Sequence, residues 1–185
     1  NPAHKVLAQM QNEGLIGTII TQNVDGLHQK AGATDVINLH GYANDMICMD
    51  CGARSPRIDM HERCLALNPE FADLDATALP DGDADIDVDF SRFSIADCLN
   101  CGGLLKPDVV YFGDTVPKER VAKARQALAE SAGLLVVGSS LMVFSGYRFA
   151  RQANEQGQPI GILTRGKTRA DELATLKIDA TIADI

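Results

Sequence analysis

Apolar positions recur at two different periods along the chain, and the change of period marks its elements. Ala3, Val6, Leu7 and Met10 repeat at helical spacing behind Asn1-Pro2, a capping residue and a first-turn proline, and the pattern stops at Gly14. An amphipathic helix is expected there. Leu15 to Ile20 is apolar apart from Gly17 and too short for a helix of its own, so it reads as a buried strand. A short helical stretch between Val24 and Ala31 and a second strand at Val36 to Leu39 follow. Beyond Pro117, Val121, Ala124, Leu128 and Ala132 share one helical face as far as Gly133, and Leu134 to Val137 is a continuous apolar strand. A further helix is expected over Tyr147 to Glu155, a strand at Ile160 to Leu163, and a last strand at Ile178 to Ile182. Strands alternating with helices at these lengths predict right-handed crossovers and a mainly parallel, doubly wound α/β sheet.

The middle of the chain breaks this rhythm. It holds all five cysteines, three prolines and an acidic run, and reads as a module inserted at 42–105 between two parts of one α/β domain, 1–41 and 106–185. Within it, Asp81 to Asp89 alternates acids with small or apolar residues. An EF-hand loop would need glycine sixth and glutamate twelfth. Counted from Asp81 those positions hold Ile86 and Arg92. A solvated loop or edge strand is therefore expected.

Composition narrows the function classes. With 17 Lys and Arg against 25 Asp and Glu, the net charge of −8 disfavours a nucleic-acid-binding face, which needs clustered cations. No apolar run approaches the roughly 20 residues that span a bilayer, so no membrane partner is expected. Nothing at Asn1 reads as a signal peptide, and an odd cysteine count without one favours a reducing compartment. A bacterial cytoplasm and a mitochondrial matrix both fit.

The sharpest chemical signal is the pair Cys48-x-x-Cys51 and Cys98-x-x-Cys101, each followed by glycine. Two such pairs supply a tetrahedral thiolate set with no open position, so one structural zinc is expected. The long segment between them must loop out from the metal. Cys64 reads as a small buried hydrophobe. The second signal is positional: Thr21 to His28, His40-Gly41 and Gly138-Ser139-Ser140 each follow an expected strand. In an open parallel sheet, ligands bind outside the carboxyl ends of the strands, so these segments are expected to converge. Gly138-Ser139-Ser140 suits a phosphate or ribose, though it is also an ordinary strand-to-helix turn. Asn23 and Asp25 suit ribose hydroxyls or an amide, though Asp25-Gly26 is equally common in turns. His40 is placed to be a general base, and a structural histidine is the competing reading.

Taken together, Thr21-Gln22-Asn23-Val24-Asp25-Gly26-Leu27-His28, His40-Gly41, the cysteine pairs and Lys106-Pro107-Asp108-Val109-Val110-Tyr111-Phe112-Gly113-Asp114 resemble the sirtuins, NAD-consuming protein-lysine deacylases. Pro80 to Asp83, Gly138 to Leu141, Ser145 to Phe149 and Thr168 to Asp171 resemble the class II branch. The resemblance implies a Rossmann-like domain that binds NAD, with a small zinc module beside it and acyl-lysine protein or peptide entering the cleft between them. It implies that nicotinamide leaves as the acyl oxygen attacks the ribose. His40 then takes a proton from a ribose hydroxyl, and the acyl group passes to ADP-ribose. Gln22, Asn23 and Asp25 match residues that hold the nicotinamide and its ribose, and Gly138, Ser139 and Ser140 match contacts to the rest of the dinucleotide. Thr164 and Ile182 match positions near the adenosine, and Val110, Phe112 and Gly113 match positions that grip the acyl-lysine. The extended Val-Val-Tyr-Phe run suits strand addition of a peptide.

Some positions depart from the family pattern. No Gly-Ala-Gly-x-Ser phosphate loop occurs in the sequence. A polypeptide beginning at Asn1 is expected neither to bind NAD tightly nor to turn over, whereas a longer protein containing this chain is expected to be active. Thr164 replaces an asparagine, Ser145 a proline, Asp114 a glutamate and Tyr111 a phenylalanine common among sirtuins. Two other readings remain: ADP-ribosyl transfer to proteins from the same pocket, and a non-catalytic zinc-bearing interaction module.

Overall fold

The structure is a computed structural model that describes every residue except 73, 75, 76, 79–83, 86, 87 and 183–185, with backbone alone at 77, 78, 84 and 85. Most of the acidic run expected to be a loop or edge strand lies outside the described residues. The elements in chain order are α1 (Pro2–Asn12), β1 (Ile19–Thr21), α2 (Leu27–Lys30), β2 (Val36–Asn38), β3 (Gly41–Cys48), β4 (Arg54–Pro56), α3 (Arg57–Leu67), β5 (Thr77–Ala78) and β6 (Ala84–Asp85). They continue with β7 (Leu105–Val109), α4 (Lys118–Ala129), β8 (Leu134–Val137), α5 (Phe144–Glu155), β9 (Ile160–Leu163) and β10 (Leu176–Ile178). Single 3-10 turns occupy Pro69–Phe71 and Asp171–Leu173. Among the described residues no helix is long and apolar enough to cross a membrane.

The chain forms two compact units, Asn1–Tyr42 with Val110–Ile185, and Ala43–Val109. In the first, β1 pairs with β2, and β8 and β10 flank β9; all three pairings are parallel. This is a Rossmann-like α/β arrangement. Its core gathers Ile37 and Leu39 from the β2 segment with Val136, Ile160 and Ile162 from β8 and β9. Helices α4 and α5 cover them with Leu128 and Phe149. Ala124, Ala150 and Ala153 are wholly buried, small enough to let the two helices lie close together and on the strands.

The second unit is built on β4-β3-β7, with β3 and β4 antiparallel and β5 and β6 forming a separate two-stranded ribbon. Helix α3 supplies Cys64, buried as the sequence suggested, whose sulfur accepts the Ala96 N–H at 3.4 Å. Asn68 is buried beneath α3 with its amide fully used: it donates to the carbonyls of Cys64 and Ser94 and accepts the Ser94 N–H.

Several expected elements move, each for a local reason. Leu15 to Thr18 is not strand, and Leu15 is 67% exposed. The N–H groups of Leu15 and Ile16 close the end of α1 on the Met10 carbonyl, and the Gln11 amide takes the Gly17 carbonyl at 2.7 Å. Those groups are unavailable to a ladder, so pairing begins only at Ile19. Helix α1 buries Ala8 while Val6 is exposed, so its apolar face is rotated from the expected one. Helix α5 starts three residues early, at Phe144, because Ser145 and Gly146 join its first turn. The last strand is Leu176–Ile178, in register with Gly161–Leu163, and ends where its partner ends. Val110 to Phe112 is not a strand either: Asp114 N–H bonds the Tyr111 carbonyl, and Gly113 at φ 94° closes a turn.

Ile160→Ala removes a side chain that is 1% exposed at the start of β9. It is expected to cost about 2–5 kcal/mol, read as a lowered urea midpoint with unchanged slope.

Candidate active site and candidate metal centre

Because β1, β2, β8 and β9 run parallel within their sheets, the residues just past their carboxyl ends carry the loops named from sequence. Past β1, the buried Thr21 hydroxyl accepts the Asn23 N–H at 3.1 Å. Gln22 turns inward to reach Ser139 and Ser145. Its amide oxygen would lie only 2.6 Å from a Cβ at Gly146, so glycine there is what lets the amide approach α5. Past β2, the fully buried Leu39 anchors His40, whose carbonyl accepts the Val110 N–H at 2.8 Å. His40 Nε2 lies 2.8 Å from Ser145 Oγ. Burial holds its imidazole below the ordinary value; a hydrogen bond to the Gln22 backbone opposes this and the Arg148 charge adds to it. His40 is therefore neutral at neutral pH, as a base must be.

Past β8, Gly138 at φ 64° donates its N–H to the Leu163 carbonyl, which places it beside Thr164 at the end of β9. A side chain at Gly138 would meet Ile182, so those two candidates also come together. The Ser140 carbonyl accepts the Arg169 N–H, and Ser140 itself is exposed. Leu141, which follows, has φ 54°, a left-handed conformation unusual for leucine. Helix α5 then begins at Phe144 behind Val143, which gives it no side-chain cap; the Gly146 N–H bonds the Val143 carbonyl, and the N–H groups of Phe144 and Ser145 ahead of it are left for another acceptor.

Other candidates stand apart from this network. Asn23 and Asp25 are exposed, and Asp25 accepts the Leu27 N–H at 2.9 Å across the Gly26 turn that leads into α2. The Phe112 ring lies wholly in solvent. A separate cavity of about 310 Å³ between α4 and α5, lined by Arg125, Phe144, Arg148, Arg151 and Gln152, contains none of the candidates. The geometry adds Ser145, Gly146 and Arg148, which sequence reasoning did not assign to the site. The available signal was a Ser-Gly pair in the first turn of a helix that follows a strand.

In the second unit, Cys48, Cys51, Cys98 and Cys101 present sulfurs that all lie within 4.8 Å of one another. Two equivalent turns bring them there. Gly52 N–H bonds the Cys48 carbonyl and Gly102 N–H the Cys98 carbonyl, each glycine at positive φ of 71° and 73°. The separations of 3.5 Å for Cys48 to Cys101 and 3.8 Å for Cys51 to Cys98 match the roughly 3.8 Å between sulfurs about 2.3 Å from a tetrahedral zinc. The protonation chemistry points the same way. Cys51 is lowered to about 6 by the Asn100 side chain and the Ala53 backbone. The Gly103 backbone hydrogen bond acts to lower Cys101, but Cys51, Cys48 and Cys98 beside it, together with burial, outweigh that and raise it to about 12. Four sulfurs this close share charge poorly without a cation, and Zn²⁺ removes the conflict by deprotonating coordinated thiols.

Residues 1–145 match the Sir2 family. The chain belongs to that family. A NAD-dependent protein deacetylase of Bordetella bronchiseptica is 47% identical over 190 residues, covering 100% of this chain and 69% of the relative. NAD-dependent protein deacetylase 2 of Bradyrhizobium diazoefficiens is 48% identical over 180 residues, covering 97% and 66%. Among solved structures, one described as Sir2 bound to acetylated peptide has a TM-score of 0.76 at 28% identity, covering 100% of this chain and 66% of that one. Another, described as Sir2-p53 peptide-NAD+, has a TM-score of 0.75 at the same identity and covers the same shares. This Sir2 chain is thus of the NAD-dependent protein deacetylase class of enzymes, with four cysteines positioned to hold a structural zinc.

Two outcomes are expected of this Sir2 chain. Metal analysis should find one zinc per chain, and Cys98→Ser should lose it together with the hydrogen-exchange protection of β3 and β7, because structural zinc supplies folding free energy. Undiminished zinc in that variant would exclude the four-thiolate site. Separately, His28 and His40 are both held below their ordinary value, chiefly by burial. The unfolded chain therefore binds more protons than the folded one as pH falls through about 6.5. Stability should be full above that pH and decline below it, in a window above that of Asp171, which Lys177 and Thr168 hold at about 2. Urea midpoints across pH should show this decline, and His28→Gln with His40→Gln should flatten it.

Proposed function

We propose that the complete protein removes acyl groups from lysine side chains of proteins, using NAD as co-substrate and His40 as the general base. The observation that supports this most directly is the linkage of His40, Gln22 and Ser139 at the carboxyl ends of three strands, where a dinucleotide lies in folds of this kind. NAD supplies a ribose whose bond to nicotinamide can be displaced by the acyl oxygen. The work of this chain is to position groups around that ribose.

In this reading His40, neutral and partly shielded, would take a proton from a ribose hydroxyl of bound NAD, so that this oxygen could bond to the acyl carbon as the bond from that carbon to the lysine nitrogen breaks and the lysine leaves as the free amine. Gln22, Asn23 and Asp25 face the nicotinamide half. Gly138, Ser139 and Ser140 take the remainder, helped by the uncapped first turn of α5. Thr164 and Ile182 are assigned to the adenosine half. Val110, tied by its backbone to His40, together with Phe112 and Gly113, is assigned to the acyl-lysine. Peptide-bound relatives of similar fold support a peptide substrate. Bacterial relatives support a cytoplasmic setting, and class II remains the subgroup assigned from the sequence.

The test uses the complete protein with NAD and acyl-lysine peptides. Nicotinamide and free lysine should appear together, and His40→Ala should slow both by roughly a hundredfold or more while zinc content is unchanged. An unimpaired His40→Ala enzyme would remove the proposed base. Nicotinamide released without deacylated peptide would favour ADP-ribosyl transfer instead.

A further inference from the structure

Ser145 is only 8% exposed in the first turn of α5, and its hydroxyl touches two of the site candidates at once. The direction of each hydrogen bond around it can be followed from a group that cannot be reversed. The Leu141 backbone N–H donates to Ser139 Oγ at 3.2 Å, so the hydrogen of that hydroxyl is free to go to Gln22 Oε1 at 3.4 Å. With its oxygen engaged there, the Gln22 amide presents Nε2 to Ser145 and donates to its Oγ at 3.2 Å. A serine hydroxyl has one hydrogen, and the group left to receive it is His40 Nε2 at 2.8 Å. The other ring nitrogen then carries the hydrogen directed at the Gln22 backbone. With the Gln22 oxygen turned to Ser139 and its nitrogen to Ser145, these hydrogen bonds run in one sense from the Leu141 N–H to the imidazole, and the hydrogen bond to the Gln22 backbone, which acts to raise His40, fits a ring N–H on the far side.

We propose that Ser145 is a positioning residue for His40: the relay Leu141–Ser139–Gln22–Ser145 holds the imidazole in the neutral form with its hydrogen on Nδ1 and its lone pair on Nε2. This rests on the reading of His40 as the base. The consequence is chemical, because a base can take a proton only through the nitrogen that lacks one. Once Nε2 gains a proton, the Ser145 oxygen, which has a second lone pair, can accept from it, so the ring keeps a partner in both states. Gly146 is part of the device, since any Cβ there would displace the Gln22 amide. Arg148, one turn along α5, is the charged group whose field reaches the ring, and it favours the neutral form.

The test is nitrogen-15 NMR of the His40 ring at a pH above its titration, a measurement that needs neither NAD nor turnover. Wild-type protein should show a single form protonated at Nδ1. Ser145→Ala should lose that signature to a mixture containing the Nε2-protonated form. Gln22→Glu, close in shape, replaces the donor with an acceptor, so the Ser145 hydrogen should turn to the carboxylate and His40 should invert to Nε2–H although Ser145 is present. A merely structural serine predicts no inversion in Gln22→Glu. A wild-type ring protonated mainly at Nε2, or an unchanged signature in both variants, would overturn the relay. If Ser145→Ala fails to fold, Gln22→Glu alone decides. An intact signature in a complete protein whose His40→Ala form still releases nicotinamide would count against the base and not against the relay.

Discussion

Parallel pairing of short strands over an apolar core is the constraint on which the site depends. When β1 and β2, and β8 with β9, run the same way within their sheets, each chain segment leaves its strand at the same end as its neighbour. Apolar side chains such as Leu39, Val136 and Ile162 fill the space behind those ends, so the polar residues immediately following them have nowhere to go but the rim. Gln22, His40 and Ser139 come together though far apart in sequence because each lies within two residues of the carboxyl end of its strand, Thr21, Asn38 and Val137 respectively.

The two units solve different electrostatic problems. In the cysteine unit the turns bring four like groups to contact distance, an arrangement that is unfavourable until a cation arrives. At the rim of the α/β unit, the partners are neutral hydroxyls and amides, with Arg148 the charge that acts on the ring. A cluster of thiols makes folding depend on a metal. A chain of neutral donors instead fixes orientation while leaving the imidazole free to gain and lose a proton.

Legibility followed the strength of the local signal. Helix α4 and strands β8 and β9 were plain because Val121, Ala124 and Leu128 keep one period and the strands that follow are uninterrupted apolar runs. The cysteine cluster was plain because spacing alone restricts what two pairs can do. The failed strand at Leu15 to Thr18 was not readable, since the groups that compete for its backbone lie at the end of the preceding helix: the Met10 carbonyl, which takes the Leu15 and Ile16 N–H groups, and the Gln11 side chain, which takes the Gly17 carbonyl. Ser145 was equally hidden. A hydroxyl in the first turn of a helix contributes nothing to a hydrophobic period, and only the positions of Gln22 and His40 give it meaning. Asp25 shows the opposite case, where a residue singled out by motif turns out also to hold the local turn that leads into α2.

Leu141 shows how the interior governs the rim. A leucine in the left-handed region costs about 1–2 kcal/mol, and burying its side chain, here 7% exposed, returns a comparable or larger amount. The loop's conformation is thus a spring held down by the core. Its restoring force is hydrophobic, so it slackens on cooling, when the drive to bury apolar surface weakens. The hydrogen bond that orients Ser139 begins at the amide of this same leucine, which ties the alignment of the rim to the packing of one aliphatic side chain.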